Sequence, residues 1–177
     1  VKQIVERLFM LYACHARAAQ GKPFNDLFDR IVERHMDAAF ELELKIDLLT
    51  CLNRIRDDIS GGETADYAAS RGEYLAGRMM ADYLGWRFLD PKEVIFFTEA
   101  GTLDERRTNS ELSMRLADGI PTVIPGFYGS MPDGRIKTFS RGGSDITGAI
   151  VARGVNADIY ENWTDVPGFL MADPRIV

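Results

Sequence analysis

The chain has 177 residues, a formal net charge of -6, 46% hydrophobic residues and 27% charged residues. That length suits one domain or a large part of one, and the composition is ordinary for a soluble globular protein. The acidic balance and the lack of any Lys/Arg block argue against a nucleic-acid partner, and no apolar run reaches the roughly 18 residues of a membrane span. Cys14 and Cys51 sit in apolar helical patterns without metal-ligand spacing. They read as reduced thiols, with no protein metal site and a cytoplasmic default.

Residues 1–20 read as a helix, with Ile4, Leu8, Leu11 and Tyr12 recurring at spacings of three and four. Gly21-Lys22-Pro23 ends it. A second helical run covers 24–44 (Leu27, Phe28, Ile31, Val32), and a third covers 45–59 (Leu48, Leu52, Ile55, Ile59). No Gly or Pro separates these two, so one long bent helix is an open alternative. His15 and His35 lie in this half without a partner at ligand spacing and read as structural or surface residues. After a turn at 60–63, residues 64–83 form a fourth helix, closed by Gly85. Gly72 inside it costs about 1 kcal/mol against Ala. That cost points to a close approach by another group, with Glu73 facing the same gap; a plain helix–helix contact and a surface carboxylate are the alternative.

The pattern then changes to alternating strands and helices. Residues 93–98, 121–125 and 158–163 are short apolar β-rich runs, and 135–139 is a shorter candidate strand. Residues 104–116 and 145–155 read as helices. Such alternation predicts an α/β domain with a mainly parallel sheet, preceded by a helical part. Ligands of such folds bind beyond the carboxyl ends of the strands, which here carry the loops 125–130 and 164–168.

The stretch with the most chemistry is Ser140-Arg141-Gly142-Gly143-Ser144-Asp145. Its paired glycines feed a helix that Ser144 or Asp145 can cap, and a Gly-rich turn at a helix N-terminus presents N–H groups to an anion. Arg141 adds a fork of donors for carboxylate or phosphate. Asp145 repels an anion and suits an ammonium, so the pair frames a ligand bearing both charges, as an amino acid does. The alternative is an ordinary helix cap.

Four segments in order then become recognisable. Phe139-Ser140-Arg141-Gly142-Gly143-Ser144-Asp145-Ile146-Thr147 resembles the R-G-G-S-D-x-T signature of aspartate kinases. Thr164-Asp165-Val166-Pro167-Gly168 with Ala172-Asp173-Pro174-Arg175 resembles their nucleotide segment. Pro125-Gly126-Phe127-Tyr128-Gly129 is similar to their P-G-F-x-G loop, and Ser70-Arg71-Gly72-Glu73 to their S-x-G-E helix motif.

The resemblance implies the amino-acid-kinase fold, a three-layer α/β/α sandwich. Residues 1–84 would form a helical, substrate-side part and 85–177 the α/β nucleotide- and aspartate-binding part. It implies transfer of the ATP γ-phosphoryl group to the side-chain carboxylate of L-aspartate, with Mg²⁺ accompanying ATP, in a cytoplasmic homo-oligomer of amino-acid biosynthesis. Arg141 would take the α-carboxylate, while Glu73 and Asp145 would take the ammonium. Ser144 and Asp145 would stand at the reacting groups, and Gly142, Gly143, Ser144, Thr164, Asp165, Leu170 and Arg175 would contact the nucleotide. The family's Lys-Phe-Gly-Gly strand with its main catalytic lysine, and its ACT domains, have no counterpart in this sequence. The chain alone is therefore expected to be inactive. Two other readings follow from the same pocket: a sister amino-acid kinase, or a non-catalytic aspartate-sensing module.

Overall fold

Four helices fill the first half because their apolar residues fall on one stripe each. They are α1 (Lys2–Ala19), α2 (Asn25–Glu41), α3 (Leu48–Ser60) and α4 (Ala65–Leu84). The computed structural model describes residues 2–140 and 143–163, with side-chain surroundings from Met10 onward. α2 and α3 are separate helices, not one bent rod. Glu43 between them has φ +52, which ends helical hydrogen bonding, and Asp47 caps α3 by accepting from the Thr50 N–H at 3.0 Å. α4 opens on Thr64, whose hydroxyl accepts from the Tyr67 N–H at 3.1 Å. It closes on Gly85 at φ +66, a left-handed turn that glycine adopts without a Cβ clash.

The stripes meet in one core. Leu11, Phe28, Leu52, Ile55 and Leu75 are fully buried in it, each contributing roughly 1.5–3 kcal/mol of burial. His35 belongs to the same core, its Nδ1–H donating to the Ile31 carbonyl at 2.7 Å. α4 is the central element, touching α1, α3 and the strand residues 87–88, 122–123 and 136–138 of the second half.

The second half is less regular than its sequence pattern. β1 (Arg87–Phe88), unforeseen in the sequence, pairs in parallel with β2 (Thr122–Val123), in the register Arg87↔Thr122. β3 (Tyr128–Ser130) and β4 (Ile136–Thr138) form an antiparallel hairpin, Tyr128↔Thr138. α5 (Glu105–Arg115) and α6 (Gly143–Gly154) lie together. A Cβ on Gly154 would stand 2.8 Å from the Leu112 Cβ, so only glycine fits the end of α6 there. Leu89, Val94, Ile95 and Leu112 are the buried residues of this second core, with Leu103, Ile124 and Val151 packed on it.

Two strand expectations change. Residues 93–98 begin in a 3₁₀ turn, Pro91–Glu93, and then make only isolated bridges, Phe96↔Ser130 and Phe97↔Leu103. Residues 158–163 form no strand at all; Ile159 is 78% and Trp163 88% exposed. An apolar run becomes a strand only by pairing, and no described strand lies against this one. The described residues thus form a helix-dominated α/β unit with one parallel pair and one antiparallel hairpin. No described helix is long and apolar enough to cross a membrane.

Candidate active-site cleft

A cleft of about 470 Å³ opens between α4, the end of β2 and the first turns of α6. Glu73 reaches it from α4, Ile124 and Gly126 from the loop after β2, and Ser144, Thr147 and Gly148 from α6. Gly148 marks a close approach, because a Cβ there would collide with the Tyr160 hydroxyl. Gly77, one turn beyond Glu73, does the same for α4: a Cβ would run into the Pro125 ring. The helix and the Pro125 loop therefore meet at backbone distance.

Gly72 is a different case. A Cβ there would meet only Leu11 Cδ1, at 3.9 Å, an ordinary contact. The close approach expected at Gly72 thus falls at Gly77 instead, and Gly72 makes the helix–helix contact with α1.

Glu73 is half-buried and has neither a hydrogen-bond donor nor a cation beside it among the described residues. Loss of solvent raises its pKa above the usual glutamate value, and no charge among the described residues offsets this. A carboxylate held in this way lacks a cationic partner that a ligand can supply.

The loop 125–129 is fastened to α6 by one side chain. The Thr147 hydroxyl accepts from the Phe127 N–H at 3.1 Å and donates to the Gly143 carbonyl at 2.6 Å. Phe127 sits at φ +85, a conformation that non-glycine residues rarely hold. Its carbonyl also accepts from the Phe139 N–H at 2.8 Å. Gly143 is buried against Phe127, where a Cβ would stand 2.8 Å from that ring. Thr147 ended the recognised motif without an assigned role; its spacing of four from Gly143 is the signal that could have found it, since a helical Thr bonds back one turn. We expect Thr147→Val, which keeps the shape and removes both bonds, to cost about 1–3 kcal/mol, read as a lower thermal midpoint. An unchanged midpoint would show that the clamp carries no stability.

The other sequence-derived residues divide clearly. Ser144 lines the cleft with Glu73. Asp145 follows it in the first turn of α6, exposed, where the helix dipole favours a carboxylate. Asn162 Nδ2 donates to Asp145 Oδ1 at 3.4 Å. Gly143 is the first residue of α6, so the helix begins two residues before the expected Asp145. Arg141, Gly142, Thr164, Asp165, Leu170 and Arg175 lie outside the described residues. Tyr160, which lies over Gly148 at the cleft, belongs to the apolar run 158–163, whose pattern gives no sign of this contact.

The model of the amino acid kinase family matches residues 15–177. The chain belongs to the amino acid kinase family. Among similar relatives of this kinase-family chain, aspartokinase 3 of Bacillus subtilis (strain 168) is 32% identical over 187 residues, covering 95% of the chain and 40% of the relative. Lysine-sensitive aspartokinase 3 of Escherichia coli (strain K12) is 45% identical over 67 residues, 38% of the chain and 15% of the relative. In structure, the kinase-family chain matches the aspartate kinase of Clostridium acetobutylicum with a TM-score of 0.90 at 49% identity, over 97% of the chain and 39% of that protein. Aspartokinase III of E. coli, solved with aspartate and ADP, matches at 0.71 and 23% identity over 94% of the chain and 43% of that protein, a likeness of fold alone. The chain spans about two fifths of the length of the relatives that it matches over nearly its whole length.

Proposed function

We propose that this chain carries the aspartate-binding side of an aspartate kinase, which makes 4-phospho-L-aspartate and ADP from L-aspartate and ATP. The observation that supports it best is Glu73: a desolvated carboxylate with no partner among the described residues, in a cleft that Ser144 shares. The ammonium of an amino acid is the cation that such a group needs. The full fold is then the three-layer sandwich of the family, with residues 1–84 on the substrate side and 85–177 forming the α/β part. The protein would work as a cytoplasmic homo-oligomer.

In this reading Arg141 pairs with the α-carboxylate, and Glu73 and Asp145 take the ammonium. The side-chain carboxylate of aspartate is thereby aimed at the γ-phosphorus. One of its oxygens forms the new P–O bond as the bond to the β-phosphate oxygen breaks, and ADP leaves with the electron pair. Such transfer depends on alignment and charge neutralisation more than on covalent help. Gly142, Gly143 and Ser144 offer donors to the phosphates at the positive end of α6. Thr164, Asp165, Leu170 and Arg175 hold the nucleotide.

The described residues contain no group of three or more His, Cys, Asp or Glu side chains able to hold a metal. Mg²⁺ would come in on the nucleotide, held by phosphate oxygens and water together with one or two carboxylates. When bound, it neutralises charge on those oxygens.

Titration calorimetry with L-aspartate, then with a non-hydrolysable ATP analogue, tests the reading. Arg141→Ala should weaken aspartate about tenfold or more, as expected for loss of a charge-assisted pair. N-acetyl-L-glutamate, which has no ammonium, should not bind. Binding of N-acetyl-L-glutamate in place of aspartate would favour a sister amino acid kinase. Unaltered aspartate binding in the variant would overturn the assignment of Arg141.

A further inference from the structure

The face of α4 opposite Glu73 walls a second cavity, about 360 Å³, into which the unassigned second position of the Ser70–Glu73 motif, Arg71, projects. Its residues Tyr67, Arg71, Tyr74 and Arg78 recur at spacings of four and three, so they share one stripe of the helix. Glu73 and Gly77 lie on the other stripe, toward the cleft. The two sites therefore have one helix as their common wall.

Arg71 is the feature that needs an explanation. It is 4% exposed, and arginine is almost never so buried without a counter-charge. No described carboxylate lies within ion-pair distance of it, whereas Arg56, Arg87, Arg115 and Arg153 each have one. Its guanidinium lies over the rings of Tyr67, Tyr74 and Tyr128, at 4.5, 4.7 and 5.2 Å from their centroids. Nε and Nη2 both donate to Ser70 Oγ, at 3.1 and 2.8 Å. Nη1 has no described acceptor.

The surroundings are arranged to leave that charge available. Of the three carboxylates lining the cavity, Asp58 accepts the Tyr67 hydroxyl, Asp90 the Tyr128 hydroxyl, and Glu63 the Thr64 N–H at 3.4 Å. None of the three is within ion-pair distance of Arg71 or of the cavity's other cations, Arg54, Arg78 and Lys92. Arg78 lies half-buried beside the Phe88 ring, 5.2 Å from its centroid. The tyrosines provide apolar faces and weakly polar edges, so the walls suit a small ligand with an anionic head.

We propose that this cavity is a second ligand site that takes a small oxyanion, carboxylate or phosphate, on Arg71 and Arg78. The inference does not depend on the activity assigned to the Glu73 cleft.

Cys51 provides the readout. It lines the cavity and is half-buried, while Cys14, the other cysteine of the chain, is fully buried. Burial also pushes the Cys14 thiol pKa up to about 11, so it reacts slowly. The rate of Cys51 alkylation by iodoacetamide, a neutral reagent, is measured with inorganic phosphate, with succinate, and with sodium chloride at matched ionic strength. Occupancy should slow alkylation about tenfold when the ion is near ten times its Kd. Protection by phosphate alone or by succinate alone identifies the head group. Arg78→Gln, a rim substitution, should abolish protection while calorimetry with L-aspartate is unchanged. Arg71→Lys should weaken protection, with folding checked by circular dichroism. Equal rates in phosphate, succinate and chloride would overturn the proposal, as would protection that survives Arg78→Gln undiminished.

Discussion

Glu73→Gln should weaken L-aspartate binding about 10- to 100-fold and at the same time make the ligand-free chain more stable at neutral pH. The first effect is the loss of a charge-assisted contact with the substrate ammonium, about 1.5–3 kcal/mol. The second comes from desolvation, which raises the folded-state pKa of Glu73 above its unfolded value. A raised carboxylate pKa means that the folded state binds more protons than the unfolded one, so this group lowers stability as pH rises through that window. Gln carries no such penalty. The stability gain should therefore appear above the folded-state pKa and vanish below the ordinary glutamate value. Thermal melts of both proteins at several pH values, with aspartate calorimetry alongside, check the pair. A variant that loses stability at neutral pH, or that loses aspartate and ATP analogue equally, would count against the role given to Glu73.

Gly129→Ala should be the most damaging single-atom change in the second half of the chain. A Cβ at 129 would collide with the Ile95 carbonyl oxygen and stand 2.8 Å from Ile95 Cγ2. That carbonyl accepts the Ser130 N–H at 2.9 Å, and the Phe97 N–H in turn donates to the Ser130 carbonyl at 2.9 Å. Backbone cannot swing aside as a side-chain tip can, so the bridge itself must open. We expect a loss of about 3 kcal/mol, at the upper end for overpacking. In a domain of this size that lowers the melting point by roughly 6–12 °C. Gly72→Ala is the matched comparison: its Cβ meets nothing closer than 3.9 Å, and removing a mid-helix glycine should stabilise by up to about 1 kcal/mol. Similar effects from the two alanines would refute the distinction between a glycine required by packing and one that is merely tolerated.

These substitutions show which parts of the molecule the sequence could disclose. The helical half was readable because each helix carries its own repeat: Leu48, Leu52, Ile55 and Ile59 report burial locally, whatever packs on them. The break at Glu43 was not readable, because neither Gly nor Pro marks it. Strands were harder because they depend on neighbours distant in sequence. Arg87–Phe88 is a strand through its pairing with Thr122–Val123, 35 residues on, and has no pattern of its own. Residues 158–163 have an apolar pattern but no described strand beside them. At the site, the motifs led to Glu73 and Ser144, which line one cleft. They did not reveal that Thr147 fixes the loop at Phe127, nor that Gly77 meets Pro125, since these are contacts between segments and not patterns within one.

The segment after α6 also has a kinetic meaning. Residues 158–163 make no backbone–backbone hydrogen bond to any described residue, although Tyr160 covers Gly148 at the cleft. Amide protons there should exchange with solvent through small local openings. Those in the middle of α4, deep in the core, should wait for global unfolding. The cleft should thus join a wall that holds its shape for as long as the protein stays folded to a cover whose amides exchange on a far shorter timescale. Ligand entry at that cover need not disturb the helix that bears Glu73.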